Sequence, residues 1–157
     1  MEEEGRDLGK LVRTLSGHGH RVNTLALNVD YVCRTGPFGH EHSSFDTPKE
    51  AQQAALARYN EALPAEGERL VSGSDDFTLF MWSPATSKHS VARLTGHCQP
   101  VTHLAFSPNG NYLASASFDK KIKVWDGRTG RFLITLTDHV GRVYQVRLLL
   151  SITGCPR

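Results

Sequence analysis

At 157 residues, 39% hydrophobic and 22% charged, the chain has room for one ordinary globular domain. A formal net charge of +2 excludes the strong basic or acidic bias of a dedicated nucleic-acid or membrane-surface binder. Cys33, Cys98 and Cys155 are odd in number and widely spaced, with no C-x-x-C pair, which points to reduced, intracellular thiols rather than a disulfide framework.

Residues 1–10 read as an acidic, polar tail, too hydrophilic for a secretory signal. No apolar run approaches the ~20 residues of a membrane span, so no membrane contact is expected. From Leu11 onward the chain repeats itself. Gly17-His18 leads to Ser72, Asp76 and Trp82, while Gly96-His97 leads to Ser115, Asp119 and Trp125. Asp138-His139 then opens a third copy, 42 residues after His97, and Trp82 and Trp125 are 43 residues apart. Within each copy, Leu70-Val71-Ser72-Gly73-Ser74 aligns with Leu113-Ala114-Ser115-Ala116-Ser117. Short alternating runs end at turn signals such as Ser107-Pro108-Asn109-Gly110 and Asp126-Gly127-Arg128-Thr129-Gly130. Four short strands in about 42 residues make one twisted antiparallel sheet. A repeat of this period, opened by Gly-His and closed by Trp, is the signature of a WD40 propeller blade.

The two copies differ in length. His18 to Trp82 spans 64 residues, where His97 to Trp125 spans 28. The extra residues, about 31–68, follow the first strand, at a loop where insertions are tolerated. Arg34 to Gly39 read as irregular loop. Thr47-Pro48-Lys49-Glu50 is a capping box with Pro at the first helical position, and the Ala/Gln-rich run after it predicts a helix from about Pro48 to Leu63, stopped by Pro64. Leu56, Tyr59 and Leu63 form a narrow apolar face for docking on the sheets or on a partner.

Four residues per repeat carry polar chemistry: His18, Ser72, Asp76 and Trp82 in one, His97, Ser115, Asp119 and Trp125 in the other. In WD40 blades such residues form a buried hydrogen-bond chain running from indole to Ser, imidazole and Asp. The same residue types make hydrolase triads. This set, however, recurs once per repeat and lacks a nucleophile elbow, so no catalytic residue is assigned. Cys33, His40 and His42, even with His18 and His20, lack the close pairing of a zinc site, so no metal or cofactor is expected. Lys120, Lys121 and Lys123 read as a solvated strand edge, with phosphate or RNA contact as the lesser reading.

The stretch Leu25 to Val32, then Arg34-Thr35-Gly36-Pro37-Phe38, and the helix ending Ala57-Arg58-Tyr59-Asn60 resemble the insertion of the Notchless family. Arg69 to Trp82 and Phe118 to Gly130 resemble its repeats. The resemblance covers roughly residues 11–147. It implies a non-enzymatic interaction scaffold, a nucleolar assembly factor for the large ribosomal subunit whose propeller binds pre-60S particle components, touching RNA only through the particle. A signalling adaptor modulating the Notch pathway is the alternative. In that family a ubiquitin-like domain engages the ATPase Midasin; none precedes Lys10, which removes the ground for a Midasin contact. After Arg147 the repeat pattern dissolves into Leu148-Leu149-Leu150-Ser151-Ile152, so the chain reads as a truncated or alternatively ended form, with a non-functional fragment as a further alternative.

The expected architecture is therefore all-β, a partial propeller of two blades plus the first strand of a third, with a helical insertion in the first blade. The expected segments are a tail over 1–10, a repeat over 11–94, a repeat over 95–136 and the start of a third over 137–157. With strand edges and blade faces uncovered, such a chain is expected to self-associate.

Overall fold

The structure is a computed structural model that describes residues 10–38, 44–65 and 67–149. The acidic tail (Lys10 apart), His40, His42, Cys155 and the divergent segment from 150 lie outside these residues. Eight strands form two four-stranded antiparallel sheets. The first contains β1 (Val22–Leu27), β2 (Leu70–Ser74), β3 (Leu79–Trp82) and β4 (Ser90–Leu94) in chain order. The second contains β5 (Val101–Phe106), β6 (Tyr112–Ser117), β7 (Ile122–Asp126) and β8 (Phe132–Leu136), again in order. Each sheet is one meander, a blade of a β-propeller, because each strand pairs with the one before it, through short connections everywhere except between β1 and β2, where the insertion lies.

The registers correspond between blades. Leu70 faces Trp82 across β2 and β3, as Leu113 faces Trp125 across β6 and β7. Bulges fall at equivalent places, within the first strand and near the closing Trp. A bulge adds local twist, which a blade needs to sit against its neighbour. The turn residue after each relay aspartate adopts the left-handed region, with φ of 67° at Phe77 and 66° at Lys120.

The core lies between the blades. Val71, Leu79, Met81 and Leu94 of the first meet Val101, Leu104, Leu113 and Trp125 of the second, all buried. The blades approach closely at Gly73, where an added methyl group would lie 2.8 Å from Val101 Cγ1 of the second blade. Asn23 crosses the seam and donates from Nδ2 to the Val101 carbonyl at 3.0 Å. The outward faces are barer, with Leu25 61%, Ile134 52% and Leu136 46% exposed.

The third repeat does not supply the expected strand. Residues 137–149 hold no assigned strand. The segment is tethered where Val143 N–H donates to the Ser117 carbonyl at 3.2 Å and Thr102 Oγ1 donates to the Val143 carbonyl at 2.7 Å. A strand needs a ladder partner along its length, and no second strand of that repeat is present among the described residues.

The insertion holds two helices, α1 (Asp30–Thr35) and α2 (Pro48–Ala62). The second matches the predicted element, with Thr47 Oγ1 accepting from Glu50 N–H at 3.3 Å and Leu63 as its C-cap. The first corrects the reading of Arg34 onward as loop. Asp30 and Arg34 form an i,i+4 ion pair at 2.7 Å, Val32 is buried, and Gly36 ends the helix at φ 56°. The apolar face proposed for α2 does not seat the helix. Leu56 is 60% exposed and no residue of α2 is buried. Polar contacts hold it instead. Arg58 donates to the carbonyls of Gly36 and Phe38 and to Thr35 Oγ1, gripping the end of α1. Tyr59 donates to Glu68, and that hydrogen bond, helped by burial, pushes the phenol up to about 12.

Arg58→Ala is therefore expected to speed hydrogen exchange in both helices, while Leu56→Ala changes stability by less than about 0.5 kcal/mol, as exposed substitutions do. Equal protection in Arg58→Ala and the unaltered chain, by exchange mass spectrometry, would contradict this account.

Candidate functional site

Each blade contains a relay of four side chains from three places in the chain. In the second blade Trp125, on β7, donates from Nε1 to Ser115 Oγ at 2.9 Å. Ser115, on the neighbouring β6, lies 2.8 Å from His97 Nε2, and His97 Nδ1 lies 2.8 Å from Asp119 Oδ2. In the first blade Trp82 to Ser72 is 2.8 Å, Ser72 to His18 is 2.8 Å and His18 to Asp76 is 2.9 Å. All eight residues singled out in the sequence are thus brought together in two groups of four, with matching atoms.

The chemistry fixes the protons. An ionised carboxylate only accepts, so each His carries its proton on Nδ1, and its Nε2 accepts from the Ser hydroxyl. The Ser oxygen is then free to accept from the indole, a donor only. Every polar side-chain atom of the relay has a partner, the condition on which a buried polar network is tolerated.

The aspartates gather further donors. Asp76 accepts from Gly19 N–H, Thr78 N–H and Thr78 Oγ1, and Asp119 from Cys98 N–H and Lys121 N–H. Burial pushes both carboxyls up, but these hydrogen bonds and those from the histidines outweigh it and hold both below the usual carboxylate range. Burial dominates at His97 and pushes its imidazole below the ordinary 6.5, against the pull of Asp119. The environments differ between blades. The His97 side chain is fully covered, whereas that of His18 retains 7% exposure on the outward face.

A second pair of ties escaped sequence reasoning. Ser74 Oγ donates to the Arg21 carbonyl at 2.8 Å and accepts from Asp76 N–H at 3.1 Å. Ser117 Oγ donates to the Gln99 carbonyl at 3.0 Å and accepts from Asp119 N–H at 3.2 Å. The signal was available: both serines stand two residues after the relay serine in the aligned repeats.

The remaining candidates are dispersed. Lys123 Nζ donates to Thr135 Oγ1 at 3.0 Å and sits 5.0 Å from the Phe132 ring centroid, so it belongs to the blade, while Lys120 and Lys121 are exposed turn residues. Among the described residues no group of three or more His, Cys, Asp or Glu is placed to hold a metal ion, and no helix is long and apolar enough to cross a membrane. A cleft of about 510 Å3 opens between β1, β5 and α1, with Leu25, Tyr31, Arg34, His103 and Arg147 on its walls.

Comparison with known proteins agrees with this geometry. The WD domain, G-beta repeat family matches residues 61–83 and 88–126. Ribosome assembly protein 4 of Saccharomyces cerevisiae is 46% identical over 130 residues, covering 81% of this chain and 25% of that protein. The Notchless protein homolog of Arabidopsis thaliana is 54% identical over 94 residues, covering 60% of this chain and 20% of its own length. The chain is a WD40-repeat homologue of the Notchless proteins. It spans a quarter or less of the length of these relatives. At the level of fold, the solved structure of U3-55K matches over 94% of this chain and 34% of its own, with a TM-score of 0.57 and 22% identity.

In this Notchless homologue the relays are expected to carry blade stability. Trp125→Ala opens a cavity and should cost about 3–5 kcal/mol. Asp119→Ala strands a buried imidazole proton and should cost about 1–3 kcal/mol. Urea midpoints unchanged in both variants would remove the relay from the stability account.

The relay also sets a pH dependence. A group whose pKa is depressed on folding binds fewer protons folded than unfolded, so its contribution is present above the unfolded pKa and lost as pH falls. For His97 the loss begins near 6.5 and continues down to its folded value. For Asp76 and Asp119 it begins near 3.8. Urea midpoints should therefore decline in two stages on acidification. A flat profile from pH 8 to pH 5 would rule out the histidine stage.

Proposed function

We propose that the chain is a non-enzymatic protein-interaction scaffold that acts in assembly of the large ribosomal subunit, in the nucleus and nucleolus. The carrying observation is the likeness to Ribosome assembly protein 4. That likeness is 46% identity over 130 residues, so it extends well beyond a single repeat of about 42 residues. The proposed partners are protein components of the pre-60S particle, with RNA met only through it.

The site chemistry supports a scaffold. Ser115 is fully buried, and its oxygen is engaged by an indole and an imidazole, so it presents no nucleophile to a substrate. What the molecule offers is surface: turns held by the relays and an insertion projecting from the first blade.

Affinity purification of the tagged chain from cells, followed by sucrose-gradient sedimentation, tests the proposal. Co-sedimentation with large-subunit precursors is expected. Recovery with receptor complexes, and none with pre-ribosomal particles, would replace it with the signalling reading.

A further inference from the structure

The outermost strand of the second blade differs from its counterpart in the first. Both β4 and β8 are edge strands, each with one side unpaired among the described residues. An exposed edge is a template for another strand, and proteins usually blunt it with charge, Pro or strong twist. In β4 that charge is Arg93, whose guanidinium lies 5.6 Å from the Phe80 ring centroid. In β8 the sequence is Phe132-Leu133-Ile134-Thr135-Leu136, with no charge and no Pro. Its apolar side chains are open, with Phe132 47%, Leu133 44%, Ile134 52% and Leu136 46% exposed. A bulge where Phe132 faces Trp125 bends the start of the strand. Ile134 to Leu136 continue in regular register.

We propose that β8 is a self-association edge, pairing antiparallel with β8 of a second copy of this chain and centred on Thr135. The register follows from the pleat. Only a pairing in which opposed residue numbers sum to an even number puts the apolar faces of the two copies on the same side of the joined sheet. Centring on Thr135 sets Ile134 against the second copy's Leu136, and Leu136 against its Ile134, on the apolar face already formed by Ile122 and Val124. Thr135 meets its own counterpart, and a Thr–Thr cross-strand pair is favourable. The ends match in charge. Arg131 precedes the strand and Asp138 follows it, neither in an ion pair among the described residues. Antiparallel pairing brings each Arg131 to within one residue of the other copy's Asp138. The occupant is thus self-complementary in face, hydroxyl and charge, and two four-stranded sheets become one of eight strands with two-fold symmetry.

The test is a charge swap at Thr135 in the whole chain, read by sedimentation equilibrium. Thr135 lies on the opposite face of β8 from Ile134 and Leu136, so substitution there leaves the open apolar blade face intact. The unaltered chain should show a concentration-dependent dimer. Thr135→Lys alone and Thr135→Glu alone should each weaken it roughly tenfold, because like charges then stand directly opposite. An equimolar mixture of the two should restore it. Val91→Lys on β4 should leave it unchanged. Hydrogen exchange on the unaltered chain provides a check independent of any variant, with amides at 134–136 gaining protection as concentration rises. A chain that stays monomeric, association indifferent to Thr135→Lys, a mixture that does not recover, or exchange at 134–136 independent of concentration would each overturn the proposal.

Discussion

The hydrogen-bond chain from Trp to Ser to His to Asp is the constraint around which each blade is arranged. Apolar packing alone would hold the sheets together but is not directional. The relay is directional at every step, and it joins parts of the chain that β-ladders do not join. His97 and His18 lie in loops outside the sheets, yet each is fixed to the second strand through Ser and to the following turn through Asp. The strand carrying Trp is fixed by the same Ser. One polar chain thereby sets the position of the incoming loop, two strands and a hairpin turn. The second serine of each repeat, Ser74 or Ser117, binds the same turn to the backbone just before the first strand. The turn is therefore held from two sides, and this steadies residues such as Phe77 and Lys120 in a backbone region that side chains seldom adopt.

Repetition of the relay has different consequences in the two blades because their surroundings differ. The second blade's relay is covered by the first blade, and burial governs the imidazole there. The first blade's relay looks outward, with Leu11, Arg13, Thr14 and Leu15 beside it lining a shallow hollow. The same four residues thus make a buried structural tie in one place and a partly accessible one in the other. Such asymmetry is inherent to an array of repeats, in which each unit is stabilised by what its neighbours pack against it.

The insertion follows a separate physical logic. It interrupts the first blade between β1 and β2 without disturbing their register, since Asn28 closes the base of the excursion. Asn28 N–H donates to the Arg69 carbonyl at 3.1 Å, and Arg69 N–H donates to Asn28 Oδ1 at 2.9 Å. With its ends pinned, the excursion is free to vary in content. Its two helices are joined by Arg58 rather than by an apolar seam, and the pair keeps much of its surface for other contacts. A segment that is specific in sequence, polar in its internal contacts and lightly buried is suited to recognition more than to folding.

The fold was legible in the sequence because a repeat states its constraints twice. Gly-His, Ser, Asp and Trp recur at matched offsets, and alternation between turn signals marks each strand, so two blades and their polar residues could be read without coordinates. The α2 helix was legible for a local reason: its cap, its Pro and its stop are all encoded within a few residues of its ends. What the sequence did not disclose depended on distance. The α1 helix is too short to show a periodic face and exists through one ion pair and one buried Val. The seating of α2 turned on which long side chain could reach a carbonyl 20 residues away in sequence, and Leu56 lost to Arg58 there. Residues 143–149 have the composition of a strand but not the ladder that makes one, because pairing belongs to two segments and not to either alone. Local preference and repetition determined the elements; only the tertiary structure decided which surfaces met, since burial and long-range hydrogen bonds depend on residues that have no fixed relation in sequence.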